Sequence, residues 1–198
     1  KSPLIVPGQP DSTDCQYCPE IKQLLEELSK LSDKIKLTVY DFKKEADRAA
    51  EFHLDRIPAI IIKTDTDTGI RFFGIPSGYE YMSLLEAIVD ASRGQTELSP
   101  ATKEALKKLK KDVNIQVFVT PTCPYCPMAV RLAHQMALES PHITASMIEA
   151  SEFPELSQKY EVMGVPKSIF NETITLEGAV PEEVFLEQVL RAAGEQAG

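Results

Sequence analysis

Two spacings of apolar residues alternate along this chain. Ile21, Leu24, Leu25, Leu28 and Leu31 recur at helical intervals, so a helix follows Cys18. Ile35, Leu37 and Val39 then alternate with polar residues, as a half-buried strand does. The pattern continues with a helix over 45–54, strands over 59–63 and 70–73 joined by a polar turn, and a helix over 81–93 that stops at Gly94. Ser99-Pro100 caps a further helix reaching about Lys111, and the β-branched and aromatic segment 115–120 (IQVFVT) reads as a buried strand. Next come a helix from Cys123 to about Glu139, a strand over 144–149 and a short helix over 154–160. A hairpin of 167–170 with 173–176 turns around Asn171-Glu172, and a closing helix over 184–193 ends at Gly194. At the front, Leu4-Ile5-Val6 reads as a strand cut short by Pro7, Gly8 and Pro10. Either residues precede Lys1 or an irregular loop approaches Cys15.

The order of elements repeats, and so do particular residues. Cys15 and Cys123, Tyr17 and Tyr125, Cys18 and Cys126, Pro19 and Pro127, and Pro58 and Pro166 each stand 108 positions apart. Ile35 and Ile143 keep the same offset, whereas Gly74 and Gly178 differ by 104, which predicts a hairpin four residues shorter in the second copy. A period this long means tandem domains rather than a solenoid. With 198 residues, two small domains fit, and the Gly94-Gln95-Thr96 junction divides them into 1–96 and 97–198.

Composition narrows the function classes. A net charge of −9 disfavours phosphate backbones and anionic membrane surfaces, so neither a nucleic acid nor a membrane is expected as partner. The lysines at 103, 107, 108, 110 and 111 interleave with Leu106, Leu109 and Val113 and read as the solvated face of a helix. The longest purely apolar run, 59–62, is far below the ~20 residues of a spanning helix. No signal-peptide pattern opens the chain, so a soluble cytoplasmic protein is expected, although a first residue other than Met is compatible with a removed leader.

All four cysteines fall in two C-x-x-C units, Cys15-Gln-Tyr-Cys18 and Cys123-Pro-Tyr-Cys126. A secreted scaffold scatters its cysteines; local pairs point to redox or metal chemistry. A zinc ribbon wants its pairs ~15–20 residues apart, and the separation here is far larger. A metal or iron–sulfur cluster bridged between subunits through Cys123 stays open as an alternative. Disulfide exchange needs a thiolate, and a helix N-terminus lowers a thiol pKa from ~8.5 to as little as ~3.5–7.5. Cys15 and Cys123 stand at that place as nucleophiles, while Cys18 and Cys126, one turn further in, resolve the mixed disulfide. Pro124 against Gln16 makes the two sites differ in potential.

Strand, C-x-x-C, helix, strand, helix, X-Pro, hairpin, helix, carried twice, resembles the archaeal and thermophile protein disulfide oxidoreductases; the CPYC tetrapeptide is also that of glutaredoxins. The resemblance covers the chain beyond its first dozen residues. It implies an α/β fold class of two tandem thioredoxin-fold units, each a mixed central sheet flanked by helices, acting inside the cell. It implies that Ile57-Pro58 and Val165-Pro166 are cis, face the cysteines and bind an extended substrate strand; an ordinary trans X-Pro is the reading without it. Tyr17 and Tyr125, inside the motifs, either contact substrate or shield the buried cysteine. It implies no bound cofactor and no metal, only redox-active disulfides that exchange electrons with a thioredoxin-reductase-like flavoprotein. Partners are then protein disulfides or dithiols and, in the relay alternative, a peroxiredoxin system. The buried Asp of thioredoxins is replaced by Gln9 and Val117, leaving Asp41 and Glu149 at equivalent strand ends as weak proton-carrier candidates. His53, His134 and His142 read as surface or core residues, and the low Asn content points toward a hot habitat.

Overall fold

The computed structural model describes residues 2–7 and 15–195. Eight strands form one mixed sheet in the order β2-β1-β3-β4-β6-β5-β7-β8. They are β1 (Ser2–Pro7), β2 (Ile35–Tyr40), β3 (Ala59–Lys63), β4 (Asp67–Phe73), β5 (Val113–Val119), β6 (Ile143–Glu149), β7 (Lys167–Phe170) and β8 (Ile174–Glu177). The helices are α1 (Cys18–Ser29), α2 (Ala46–Glu51), α3 (Glu80–Arg93), α4 (Pro100–Lys107), α5 (Cys126–Glu139), α6 (Pro154–Lys159) and α7 (Glu182–Ala192). Neighbouring strands β1 and β2, β4 and β6, and β5 and β6 pair in parallel; β3 and β7 run against their neighbours. The first four strands are therefore ordered as the last four are, and the two runs meet where β4 pairs with β6. Among the described residues no helix is long and apolar enough to cross a membrane.

Pleating sends successive strand residues to opposite faces, which explains the uninterrupted apolar run at 59–62. Ile60 and Ile62 join a large core with Leu84 and Ile88 of α3, Leu25 of α1, Val130 of α5 and Phe185 of α7. Ala59 and Ile61 face the other way, toward Ala49 and Phe52 near α2. The small helices α2 and α6 thus cover one face and the longer helices the other. Strand β2 lies at the sheet edge, so its alternation is only half-buried, with Val39 exposed.

Several expected boundaries move for identifiable reasons. Helix α4 ends at Lys107 rather than Lys111, because the Leu109 N–H tightens onto Leu106 O (3.2 Å) and buries Leu109 before the chain enters β5. Helix α2 stops at Glu51 instead of reaching Leu54; His53 takes φ 54° and turns Leu54 into the smaller core. Glu161, 108 residues on, does the same after α6 with φ 51°. Leu31 lies beyond α1 and is 76% exposed, so it does not belong to the buried stripe. Strand β4 begins at Asp67 rather than Ile70, after a register shift at Ile62/Lys63. The Asn171-Glu172 turn, with φ of 47° and 62°, closes the second hairpin with four fewer residues than the first.

Candidate active site

Strands β1 and β5 point the same way, and each is followed by a helix that begins at the second cysteine of a pair, Cys18 or Cys126. A right-handed return to the parallel strand β2 or β6 requires those helices to start at the edge where β1 and β5 end. Strands β3 and β7 run oppositely, so Pro58 and Pro166 lie at that same edge. Both X-Pro bonds are cis, as the resemblance implies. The first helical residue is the second cysteine of each pair, with Tyr17 and Tyr125 as N-caps. Cys15 and Cys123 therefore precede the helices instead of sitting in their first turns. Pro19 and Pro127 occupy the second helical position, where a missing N–H leaves no bond unmade. Gln9 and the approach to Cys15 lie outside the described residues.

Cys15–Cys18 and Cys123–Cys126 are both disulfides. At the second, the Cys126 N–H points at Cys123 Sγ (3.2 Å), and the Val165 carbonyl oxygen lies 3.8 Å from the same sulfur. Cys123 is half-buried while Cys126 is fully buried. At the first pair, Cys15 and Cys18 are only 4% and 3% exposed, and the Cys18 N–H donates to Cys15 O (3.4 Å). Tyr17 is half-buried and Tyr125 exposed. Ile57 and Val165 are half-buried, and Pro58 and Pro166 buried. The Pro58 and Pro166 carbonyls accept from Gly74 N (3.1 Å) and Gly178 N (2.8 Å), so these glycines serve the backbone behind the X-Pro loops. Gly74 has φ 90°, and a side chain there would run into Glu149 and Glu152.

The carboxylates at this edge differ from what the sequence suggests. Asp41 accepts from the backbone N–H groups of Lys43 and Lys44, and Glu149 accepts from the Ser151 hydroxyl (2.6 Å) and the Glu152 N–H; both anchor turns. Two other glutamates titrate near neutrality. Burial pushes Glu152 up to about 7, the Ile75 N–H bonded to it (2.7 Å) pulls the other way, and Glu149 adds to the rise. Burial likewise pushes Glu80 up to about 7, with the nearby Ser83 hydroxyl pulling the other way. Glu80 opens α3 directly after Tyr79, whose N–H donates to Pro121 O (3.0 Å), two residues ahead of Cys123. Segment 74–79 thereby straps β4 to the loop that carries Cys123. Nothing in the sequence marks Glu80, since a glutamate at a helix start is ordinarily solvated.

His134 is buried beside Phe72 with Nε2 3.1 Å from Arg71 O, and burial lowers it to about 4; His142 pairs with Asp112 (2.8 Å). Among the described residues, no group of three or more His, Cys, Asp or Glu is placed to hold a metal ion.

Residues 113–191 match a thioredoxin domain family model. The chain is 34% identical to a protein disulfide oxidoreductase from Aeropyrum pernix K1, covering all of this chain and 88% of that one, with a TM-score of 0.91. It is similar to the alkylhydroperoxide reductase AhpF of Enterococcus faecalis (27% identity, 96% of this chain, 90% of that one, TM-score 0.89). The corresponding alkyl hydroperoxide reductase of Staphylococcus aureus is 31% identical over 152 residues, 77% of this chain. The matched part spans 27% of that curated relative.

Proposed function

This chain belongs to the protein disulfide oxidoreductases, and we propose that it exchanges dithiols for disulfides in protein substrates through two tandem thioredoxin-fold units, 1–96 and 97–198. The observation that carries the reading is the geometry of Cys123: half-open to solvent, with the Cys126 N–H 3.2 Å from its sulfur and Cys126 buried behind it. That N–H favours the thiolate once the pair is reduced, and the half-exposed sulfur is the one a substrate reaches. The identical strand order of the two runs and the shared offset of 108 support the duplicated architecture.

In the reductive direction, the Cys123 thiolate attacks one sulfur of a substrate disulfide. A mixed disulfide forms and the first substrate thiolate leaves. Cys126 loses its proton and attacks Cys123 Sγ, the second substrate thiolate departs, and the pair is left as the disulfide seen in the structure. Two electrons pass to the substrate, whose two thiolates take up the Cys126 proton and one from solvent. The Cys15–Cys18 pair runs the same exchange, and oxidation is the reverse sequence. The Val165 carbonyl beside Cys123, with Tyr125 flanking, is the backbone to which an extended substrate segment docks; Ile57-Pro58 and Tyr17 occupy the equivalent places beside Cys15. Electrons are resupplied by a thioredoxin-reductase-like flavoprotein in the cytoplasm, with no cofactor bound to the chain itself.

A second reading is favoured by one observation, the likeness to the alkyl hydroperoxide reductases. In it, the same exchange chemistry makes this chain a relay that passes electrons from a flavoprotein to a peroxiredoxin. Isomerisation separates the two. A free-standing exchanger with two intact pairs re-forms native bonds in scrambled disulfide substrates, and Cys15→Ser/Cys18→Ser or Cys123→Ser/Cys126→Ser each leaves only a minor part of that rate. Full isomerase activity in either double variant contradicts a division of work between two sites.

A further inference from the structure

Around the two cysteine pairs, equivalent positions carry opposite chemistry. In the second half, Tyr125, Met128 and Met163 are all exposed on the elements that flank Cys123; 108 positions earlier the residues are Tyr17, Glu20 and Asp55. Met163 is 93% exposed, the most exposed large apolar side chain among the described residues. It stands two residues before Val165, whose carbonyl lies 3.8 Å from Cys123 Sγ, so it flanks the line an extended segment follows past that sulfur. Met128 lies on the first turn of α5, two residues after Cys126. At the other site, Asp55 is held by Arg56 through two N–H···O contacts (2.8 and 2.5 Å), and the Arg56 guanidinium lies over the Phe73 ring. Glu20 is exposed there.

An exposed methionine gains nothing for the fold, and two of them on the elements that flank one cysteine pair leave apolar surface in water that a partner can cover. The unbranched thioether chain adapts to differently shaped side chains, which suits a surface that meets many sequences. We propose that Met128 and Met163 make the Cys123 site selective for extended polypeptide segments with an apolar residue next to the bridged cysteine. Glu20 and the Asp55–Arg56 pair exclude such segments from the Cys15 site. The inference rests on the exchange reading above and adds the substrate class of each site. It is carried by placement: Met128 and Met163 are exposed on the helix that follows Cys123 and on the segment that leads to Val165, and the positions 108 residues earlier carry charge.

The test uses the Cys15→Ser/Cys18→Ser chain, recharged by a small dithiol, with two disulfide-linked peptides that differ only in Leu or Glu beside the bridged cysteine. The Leu peptide is expected to be reduced at least ~10-fold faster in kcat/KM, the scale of a side chain gained or lost in an apolar contact. Adding Met128→Glu and Met163→Asp is expected to erase that preference through KM, while Met163→Leu keeps it. In the Cys123→Ser/Cys126→Ser chain, Glu20→Met with Asp55→Met introduces the preference. A ratio that Met128→Glu/Met163→Asp leaves unchanged overturns the proposal. So does a dimer in solution that this variant dissociates, since the rim then covers a second copy. A parent chain that reduces neither peptide overturns the exchange reading itself.

Discussion

Replacing Cys123 with Ser is expected to lower insulin-disulfide reduction at least ~10-fold, while Cys15→Ser stays within ~3-fold of the unmodified chain, because only the first removes the more accessible nucleophile. The structural basis is the difference in exposure and in donors. Cys123 is half-buried and receives the Cys126 N–H, whereas Cys15 is 4% exposed and the Cys18 N–H is turned to a carbonyl. Substrate arriving at the sheet edge is therefore expected to meet Cys123 first. Turnover of insulin by the two single variants, read as precipitation of the released chains, decides the ranking. Equal rates for Cys123→Ser and the unmodified chain contradict it.

The second large effect concerns stability and pH. Glu80 is ordinary in the unfolded chain, near 4.5, and burial raises it to about 7 in the folded protein. The folded state therefore holds the proton more tightly. Its contribution is fully present below pH 4.5 and is lost as pH rises through 7. Glu80→Gln removes this dependence. Relative to the unmodified chain, the variant is expected to gain on the order of 3 kcal/mol between about pH 4.5 and 8, since each pKa unit is worth ~1.4 kcal/mol. Glu152 contributes in the same direction and is present in both chains, so it cancels in the comparison. His134 acts oppositely: its pKa falls from 6.5 to about 4, so its contribution is present above 6.5 and lost as pH falls. It cancels too. Urea unfolding of both chains across this range gives the difference directly; parallel curves would show that Glu80 titrates as an exposed glutamate.

The sequence carries the order of elements because the repeat and the periodicities are local signals. The helix after Cys18 follows from spacing and the strand at 59–63 from its apolar run, while the strand read at 115–120 starts two residues earlier, at Val113, and ends at Val119. Helix ends were less legible. Positive φ at His53 and Glu161 and the tight turn at Leu109 accompany tertiary packing of Leu54, Val162 and Leu109, and no local residue type announces them. The cysteine pairs were legible because a C-x-x-C needs only four positions to declare its chemistry. Glu80 and the strap over Gly74–Tyr79 were not. They lie in the first half of the chain, and the Tyr79 N–H reaches Pro121 O across more than forty residues. Asp41 and Glu149 were marked by their place at strand ends, yet turn geometry consumes both carboxylates. The contrast between Met163 and Asp55 was present in the sequence all along, and acquires meaning only when Val165 is seen beside Cys123 Sγ.

A redox titration tests the central claim most directly: purified protein equilibrated in graded thiol–disulfide buffers, free thiols alkylated, and the labels located by mass. Two separate two-electron transitions are expected, one within Cys15–Cys18 and one within Cys123–Cys126. Thiols that resist alkylation until a chelator is added would contradict the account and assign the cysteines to a metal.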